Sequence, residues 1–292
     1  MSNYHLEGFS KLSRSERFEK LLQLGCLTQK DIQLLQGPYP IPVELADNFI
    51  ENVIGYFPMP FGVATHFCID NKDYIIPMVV EETSIIAAAS KTAKWIKAKG
   101  KISTESLGSL SIGQIQISKV TDFNTFKNIL EKNKLQLIEQ ANTKVAHGLV
   151  ARGGGVVNLE IRKVNAMAVV HVLVDTCEAM GANIINQVCE FLKTPIEQLT
   201  SEKVSMCILT NLVDTKLVKA KVQLKEINPE LGKKIEEASR FAEEDPYRAA
   251  TNNKGVLNGI DPILLATGND WRAVEAGIHS YASASGSYSS IT

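Results

Sequence analysis

Charged and amide side chains stand beside glycine, proline or small residues in five short segments, and these are the places where the sequence could do chemistry. The segments are Glu51–Gly55, Pro77–Ser84, Glu178–Asn183, Asp245–Gly259 and Thr267–Gly277. Carboxylates and ammonium groups can transfer protons and can stabilise charge that develops in a transition state. Glu51–Gly55 by itself also fits the end of a helix, and the other four have structural interpretations as well.

Two adjacent carboxylates, Glu81 and Glu82, lie between a predicted strand and a predicted helix. Neighbouring side chains point to opposite sides, so at most one of the two enters a given site. Acidic side chains in a first turn also stabilise a helix through its dipole. The pair is therefore either a helix-stabilising feature or an acid–base carboxylate at the start of a helix.

The segment Glu178–Asn183 opens a predicted helix with small side chains. Small residues let a ligand approach the backbone N–H groups, and the start of a helix favours a pyrophosphate. Tight packing of the helix on a sheet through Gly181 explains the same pattern. Both interpretations stay open at the level of the sequence.

The segment Asp245–Gly259 is the least expected, because Arg248, Lys254 and Asn258 lie among small residues. A solvated loop explains it poorly, since its flanks are apolar. A functional role and a structural role explain it equally well. In the following segment, Asp270 fits a helix N-cap.

Common cofactor and nucleophile signatures are absent: there is no GxGxxG, P-loop, HExxH or GxSxG. The cysteines show no CxxC spacing and are predicted to be reduced thiols in the core of a cytoplasmic protein. We predict no metal site and no catalytic histidine, and we expect His171, in an apolar stretch, to be a core residue with polar partners. None of the five histidines has the spacing of metal ligands; they are His5, His66, His147, His171 and His279.

The 292-residue chain has 45% hydrophobic and 22% charged residues and a net charge of -1, as is usual for a globular protein of one or two domains. The near-neutral charge argues against nucleic acid or an anionic membrane as the main partner. No segment reaches the roughly 20 apolar residues of a membrane helix, and the first residues lack a signal-peptide core. These features predict a cytoplasmic protein.

Hydrophobic periodicity predicts a helical first part. Ser13 and Glu16 fit a capping box, and a second helix is expected to end at Gly37, before Pro38 and Pro40. A helix over 46–54 and strands over 63–69 and 74–80 follow. An Ala-rich helix then runs to Gly100, with Thr83 or Ser84 as its cap.

Residues 112–224 have a different pattern, with strands over 112–117, 157–161, 166–174, 204–210 and 217–224 and helices over 122–141 and 181–192. The first six elements have the βαββαβ order of a ferredoxin-like unit. Helices return over 235–242, 248–259 and 271–282, and a Ser-rich end follows. The predicted fold class is α+β, with a ferredoxin-like domain (109–224) inserted between residues 1–108 and 225–292 of a mainly helical domain.

Taken in order, the motifs resemble the hydroxymethylglutaryl-CoA reductases, and Glu81 before Glu82 is similar to the bacterial, class II type. The resemblance implies that residues 1–108 and 225–292 form the catalytic domain and that residues 109–224 bind a dinucleotide. The motifs are Glu51-Asn52-Val53-Ile54-Gly55, Glu82, Glu178-Ala179-Met180-Gly181-Ala182-Asn183, Asn253-Lys254-Gly255 and Thr267-Gly268-Asn269-Asp270.

What the resemblance implies is reduction of 3-hydroxy-3-methylglutaryl-CoA to mevalonate and CoA, or the reverse oxidation, with NADPH or NADH. Glu82 is then the acid–base carboxylate, Lys254 stabilises the oxyanion, and Asp270 tunes both. Arg248 pairs with the free carboxylate of the substrate. Ser84, Asn258 and Asn211 add hydrogen bonds to the substrate.

The same resemblance assigns the dinucleotide to Glu178, Met180, Gly181, Ala182 and Asn183, with Glu178 in place of the family's usual aspartate. Asn158 stands where class II members that use NADH can carry an aspartate, and Arg162 and Lys163 follow it. An acidic residue suits the ribose of NADH, so we predict that NADPH is tolerated.

The family also uses a histidine on a C-terminal segment, which we expect to be missing from this chain. An alternative function is therefore a truncated relative that binds CoA ester or dinucleotide without turnover. An RNA- or regulator-binding module is a third class, but strands 112–117 and 204–210 carry no stacking aromatics.

We also predict a homodimer with the active site at the subunit interface. Lys254 and Asp270 lie in the helical part, whereas Glu178–Asn183 lies in the inserted part, and the Ala-rich helix has small faces suited to close packing. The resemblance implies the same, because the family builds its sites between subunits. A symmetric dimer has two equivalent sites.

Overall fold

The computed structural model describes residues 6–37 and 41–292. The strands are β1 (Phe61–Ile69), β2 (Lys72–Val79), β3 (Gly100–Ser106), β4 (Leu110–Ile117), β5 (Gly155–Val164), β6 (Met167–Asp175), β7 (Met206–Leu209) and β8 (Val218–Leu224). A 3₁₀ helix spans Phe9–Lys11, and the α-helices are α1 (Arg14–Gln23), α2 (Gln29–Gln36), α3 (Val43–Ala46), α4 (Ile85–Lys99), α5 (Phe123–Lys144), α6 (His147–Val150), α7 (Ala182–Thr200), α8 (Pro229–Glu244), α9 (Pro246–Ala266) and α10 (Trp271–Ala282).

The chain divides into two compact units. The first contains the described residues up to Ser103, Lys221–Trp271 and Thr292, and the second contains Thr104–Ala220 and Arg272–Ile291. The chain passes between the units after Ser103, Ala220 and Trp271. The first two crossings lie near the predicted bounds, 109 and 224, whereas residues 272–291 group with the second unit and not with residues 225–271. The assignment of a catalytic role to one domain and a dinucleotide to the other stays a prediction.

The first unit is built on a sheet with the strand order β2-β1-β3-β8. β1 and β2 form an antiparallel hairpin through Asp70 and Asn71, which have φ values of 50° and 64°, and these residue types tolerate the left-handed backbone of such a tight turn. α4 packs on β1, and α9 packs on β2 and α8. Strand β3 was not predicted, because Ile102 is the only large apolar residue among its seven.

The second unit contains a four-stranded antiparallel sheet with the order β5-β6-β4-β7. α5 and α7 pack together and against this sheet, which is the predicted ferredoxin-like βαββαβ arrangement. In its core, buried side chains from the strands pack against buried side chains from the helices, among them Ile115, Phe126, Val170, Val172 and Leu192. The α+β fold class is therefore confirmed.

Three structural expectations are wrong. The helix expected over 46–54 does not form: α3 ends at Ala46, where that helix was to begin, because Asp47 and Asn48 favour turns and Asn52 has a φ of 56°. Strand β8 pairs in the sheet of the first unit and adds nothing to the ferredoxin-like sheet. The cysteines are free thiols, but only Cys189 is buried among the described residues, and Cys26 is exposed.

Several local expectations are confirmed. Ser13 and Glu16 form the capping box of α1, and α2 ends before Gly37. His5, Pro38 and Pro40 lie outside the described residues. In the part of the chain that the structure describes, no helix combines the length and the apolar composition needed to cross a membrane.

His171, on β6, is a buried histidine with polar partners, as expected. Its Nε2 lies 3.0 Å from Nη1 of Arg162 and 2.9 Å from Nε2 of Gln114. A guanidinium can only donate, so Nε2 is an acceptor and the ring is neutral. Burial and the Arg162 charge lower the pKa of His171 below its usual value, against a smaller opposing effect of Glu160 and Asp214.

We predict that His171 destabilises the fold in mild acid. Because the pKa is lowered in the folded state, the unfolded chain takes up the proton first, and the stabilisation present above pH 6.5 is lost as the pH falls. The free energy of unfolding, measured in urea, should therefore fall less for His171→Gln than for the parent between pH 7 and pH 5. The two plots of this free energy against pH should differ in slope by at most about 1.4 kcal/mol per pH unit. The pKa of His66 is also lowered, but it contributes equally to both proteins; identical slopes would contradict the prediction.

Candidate active site

The first unit brings Glu82 and Lys254 together, although they are 172 residues apart in the chain. β2 ends at Val79, α4 begins at Ile85, and Glu82 lies in the turn between them. α9 packs on β2, which carries Lys254 to this turn. Nζ of Lys254 donates to Oε2 of Glu82 at 3.0 Å. An ammonium and a carboxylate at this distance can exchange a proton directly.

Helix α9 begins with a well-defined cap. The carboxylate of Asp245 accepts from the backbone N–H of Arg248 at 2.9 Å, and Pro246 occupies the first turn, where a missing N–H costs little. Lys254 and Asn258 are four residues apart, so they lie on the same side of the helix. Asn253, the neighbour of Lys254, is fully buried. The segment predicted to carry chemistry is therefore a helix whose charged side is exposed.

Ser84 precedes α4 without capping it, which corrects the prediction that Thr83 or Ser84 is a side-chain cap. Ser84 has a φ of 72°, and its side chain makes no cap hydrogen bond. A capping serine needs an extended backbone to turn its oxygen toward the first-turn N–H groups, and Ser84 is left-handed instead. Non-glycine residues in this conformation are strained and cluster at functional sites. The exposed hydroxyl is thus available to a ligand two residues from Glu82.

Water reaches the Glu82–Lys254 pair in the single chain. The side chains are 50% and 60% exposed, respectively. Ion pairs with this exposure contribute little to folding, so stability alone does not account for the pair. Exclusion of water by a ligand or a second chain would strengthen the interaction of the ammonium with developing negative charge.

Two further predicted residues are Asp270, before the last helix, and Asn211, in the second unit. Asp270 directly precedes α10 and is partly buried, and the adjacent Asn269 amide donates to Oγ1 of Thr267 at 2.8 Å. Asn211 belongs to the second unit and is exposed. The expected roles of Asp270 beside Glu82 and of Asn211 toward the substrate stay predictions.

The segment expected to receive a dinucleotide forms the turn before α7. Glu178 and Met180 are exposed, and the helix begins at Ala182, after left-handed Gly181 with a φ of 85°. A Cβ on Gly181 would lie 2.3 Å from Cγ2 of Thr176, so tight packing does require glycine here. α7 also has no side-chain cap and no acid in its first turn, which leaves its N–H groups suited to an anion. The two interpretations of this segment are compatible.

Sequence patterns missed two residues that shape this second unit. Thr176 is fully buried, and its Oγ1 donates to the carbonyl of Ala179 at 2.7 Å, which holds the turn before α7. Asn142, on α5, bonds to the backbone of Val156. The position of Thr176 beside Glu178–Asn183 was a weak sequence indication of its role. Nothing in the sequence indicated the role of Asn142, because its partner is fourteen residues away.

The fold and the site define an α+β enzyme in which one unit carries a lysine–glutamate pair and the other is ferredoxin-like. A family model described as hydroxymethylglutaryl-coenzyme A reductase matches residues 13–291. The chain therefore belongs to the hydroxymethylglutaryl-coenzyme A reductase family of oxidoreductases.

Relatives and solved structures agree with this assignment. The chain is 43% identical to 3-hydroxy-3-methylglutaryl-coenzyme A reductase of Archaeoglobus fulgidus, over 98% of this chain and 67% of the relative. It is 36% identical to a probable reductase of Borreliella burgdorferi, over 97% of this chain and 68% of the relative. The class II enzyme of Streptococcus pneumoniae, solved with NADPH in open conformations, superposes with a TM-score of 0.92 at 38% identity, covering 98% of this chain and 80% of that one. The expected class II resemblance is confirmed.

We predict that the Glu82–Lys254 pair couples weakly in the resting fold. A double-mutant cycle with Glu82→Gln and Lys254→Met should give a coupling free energy of at most about 1 kcal/mol, because both side chains are half exposed. Urea unfolding of the four proteins measures it. A coupling of several kcal/mol would show that the pair is mainly a structural element.

Proposed function

We propose that the chain reduces 3-hydroxy-3-methylglutaryl-CoA to mevalonate and CoA with NADPH or NADH, or catalyses the reverse oxidation. The observation that supports this most directly is the 3.0 Å contact of Lys254 with Glu82 in a member of the reductase family. The two residues place an oxyanion-stabilising cation beside a proton donor. Neither group needs a metal ion for this role.

In the proposed reaction, two molecules of the nicotinamide cofactor, bound in turn, would each supply one hydride. The first reduction gives a thiohemiacetal, whose C–S bond breaks to leave an aldehyde while the departing CoA thiolate takes the hydroxyl proton. The second hydride reduces the aldehyde to the alcohol. Lys254 stabilises the negative charge that grows on the substrate carbonyl oxygen, because its ammonium has donors beyond the one that Glu82 accepts. Glu82 supplies the proton that neutralises this oxygen. Asp270 is proposed to adjust the protonation of both groups by its charge.

Substrate binding is assigned to Arg248, Asn258, Ser84 and Asn211. The guanidinium of Arg248 suits the free carboxylate of the hydroxymethylglutaryl group, which it can hold with two parallel hydrogen bonds. Asn258, one turn from Lys254 on α9, and the uncapped Ser84 supply further hydrogen bonds. Asn211 is assigned to the substrate on the resemblance alone.

The dinucleotide is assigned to the start of α7 and to Asn158. The N–H groups of Ala182 and Asn183 suit the pyrophosphate, and exposed Glu178 and Met180 flank it. Asn158 is uncharged where class II members that use NADH can carry an aspartate, which supports tolerance of NADPH, although the Glu160 carboxylate lies 3.5 Å from the Asn158 amide. NADPH is the cofactor named for the S. pneumoniae structure.

We further propose a homodimer with the active site at the interface between subunits. The stretch 41–61, which includes the Glu51–Gly55 motif, exposes large apolar side chains in the single chain: Phe49 (75%), Ile50 (62%), Ile54 (103%) and Phe57 (90%). Contiguous exposed apolar surface of this kind marks an interface. A second copy that covers it would remove apolar area from water.

A chain that binds CoA ester or dinucleotide without turnover is the alternative function. The half exposure of Glu82 and Lys254 favours it, because catalysis needs a water-poor site. Titration calorimetry combined with an assay of NADPH and NADH oxidation separates the two: binding of both ligands without turnover identifies the alternative.

We expect Lys254→Met to lower kcat for NADPH oxidation by about 100-fold or more, the usual loss when an oxyanion-stabilising donor is removed. A matched control is Lys234→Met, since Lys234 contacts Glu230 at the same 3.0 Å distance on the exposed side of α8. This control should leave kcat unchanged. Equal effects of the two substitutions would contradict the proposed mechanism.

We expect the chain to sediment as a dimer, at twice its 32.0 kDa, at micromolar concentration. Phe57→Glu should shift it toward monomer, because a charge would be buried in the interface. Leu34→Glu is the control, since Leu34 is 74% exposed on α2, outside the stretch 41–61. A parent chain that sediments as a well-folded monomer would refute the dimer.

A further inference from the structure

Asn142, on the last turn of α5, completes the hydrogen bonds of the edge strand β5. Its Nδ2 donates to the carbonyl of Val156 at 2.9 Å, and its Oδ1 accepts from the N–H of the same residue at 2.7 Å. A residue of a neighbouring antiparallel strand would make the same two bonds. β5 has a strand partner only on the β6 side of the described sheet. The amide of Asn142 therefore takes the place of a missing strand at one point.

That point is where β5 changes register. Val156 pairs with Val174, and the next pair is Asn158 with Leu173, so Val157 is an extra residue. Such a bulge re-aims the side chains that follow it. Val156 is 4% exposed and Val157 is 53% exposed. Because Asn142 holds Val156, it holds the residue that precedes the bulge. The position of the bulge in turn sets the orientation of the Asn158 side chain.

Gly154 fits closely against the turn that leads to α7, and Gly155, the first residue of β5, fits closely against Asn142. A Cβ on Gly154 would lie 2.5 Å from the carbonyl oxygen of Asp175 and 2.7 Å from Sγ of Cys177, and one on Gly155 would lie 2.7 Å from Oδ1 of Asn142. The N–H of Cys177 donates to the Asp175 carboxylate at 2.9 Å. The start of β5 and the turn before α7 thus form one closely packed platform within the second unit.

We infer that Asn142 is a positioning residue for the dinucleotide, which acts by holding the start of β5, and with it Asn158, against the turn that begins α7. This rests on the proposed function, which assigns the dinucleotide to these two segments. Asn142 itself touches no ligand in this scheme. Its loss would leave the buried N–H and carbonyl of Val156 without their partner, and the strand start would relax.

The test compares Asn142→Ala and Asn142→Asp with the parent chain. NADPH dissociation constants are measured by titration calorimetry, and amide hydrogen exchange is followed over residues 152–158. Asn142→Ala should raise the dissociation constant about tenfold, equal to about 1.4 kcal/mol, and speed exchange in this stretch. Asn142→Asp keeps the acceptor for the Val156 N–H but turns a second acceptor oxygen toward the Val156 carbonyl, so it should raise the dissociation constant at least as far. The affinity for 3-hydroxy-3-methylglutaryl-CoA alone should stay unchanged, which a general loss of stability would not allow.

A matched control comes from the same helix. Asn133, also on α5, donates only to the carbonyl of Ile129 in its own helix, at 2.8 Å, so Asn133→Ala should leave NADPH affinity unchanged. A folded Asn142→Ala protein with a dissociation constant within twofold of the parent overturns the inference. If that variant does not fold, Asn142→Asp decides, and an unchanged constant overturns the inference in the same way. A parent chain that binds neither NADPH nor NADH refutes the proposed function instead.

Discussion

The packing of α9 on β2 is the contact on which the site of the first unit depends. It carries Lys254 to the turn after β2 and brings it within 3.0 Å of Glu82. Neither residue is held there by burial, since both side chains are half exposed. The apolar side of α9, with Ala249 and Leu257 buried, supplies the stabilisation, and the polar side is left for chemistry. This division follows from the 3.6-residue period of a helix.

The second unit separates stability from binding in a similar way. Its core of branched and aromatic side chains lies between the sheet and helices α5 and α7, whereas the segments assigned to the dinucleotide lie at element ends. Close packing there is achieved with glycines and with two polar side chains, part-buried Asn142 and buried Thr176, which satisfy backbone groups that no strand or helix reaches. Buried backbone groups must find such partners, so these two residues shape the unit without touching a ligand in the scheme proposed above.

In the single chain, the Glu82–Lys254 pair and the apolar stretch 41–61 are both exposed to water. Charge stabilisation and apolar side chains both favour surroundings from which water is excluded. In the dimer proposed above, a second copy that covers the apolar stretch would remove its side chains from water, and one that covers the ion pair would strengthen the attraction of its charges.

Residue types and periodicity by themselves determined the helices α1, α2, α4 and α5, the strands β1 and β2, the βαββαβ order and the identity of the motifs, because each of these depends on neighbours within a few positions. Tertiary structure alone decided the rest. It placed β8 in the first sheet, left residues 47–54 without the expected helix, put Ser84 in a left-handed conformation in place of a cap, and joined Lys254 to Glu82 and Asn142 to Val156. The reason is physical: strand partners and side-chain hydrogen bonds between distant segments depend on packing, and hydrophobic periodicity carries no information about which distant segment will be the partner.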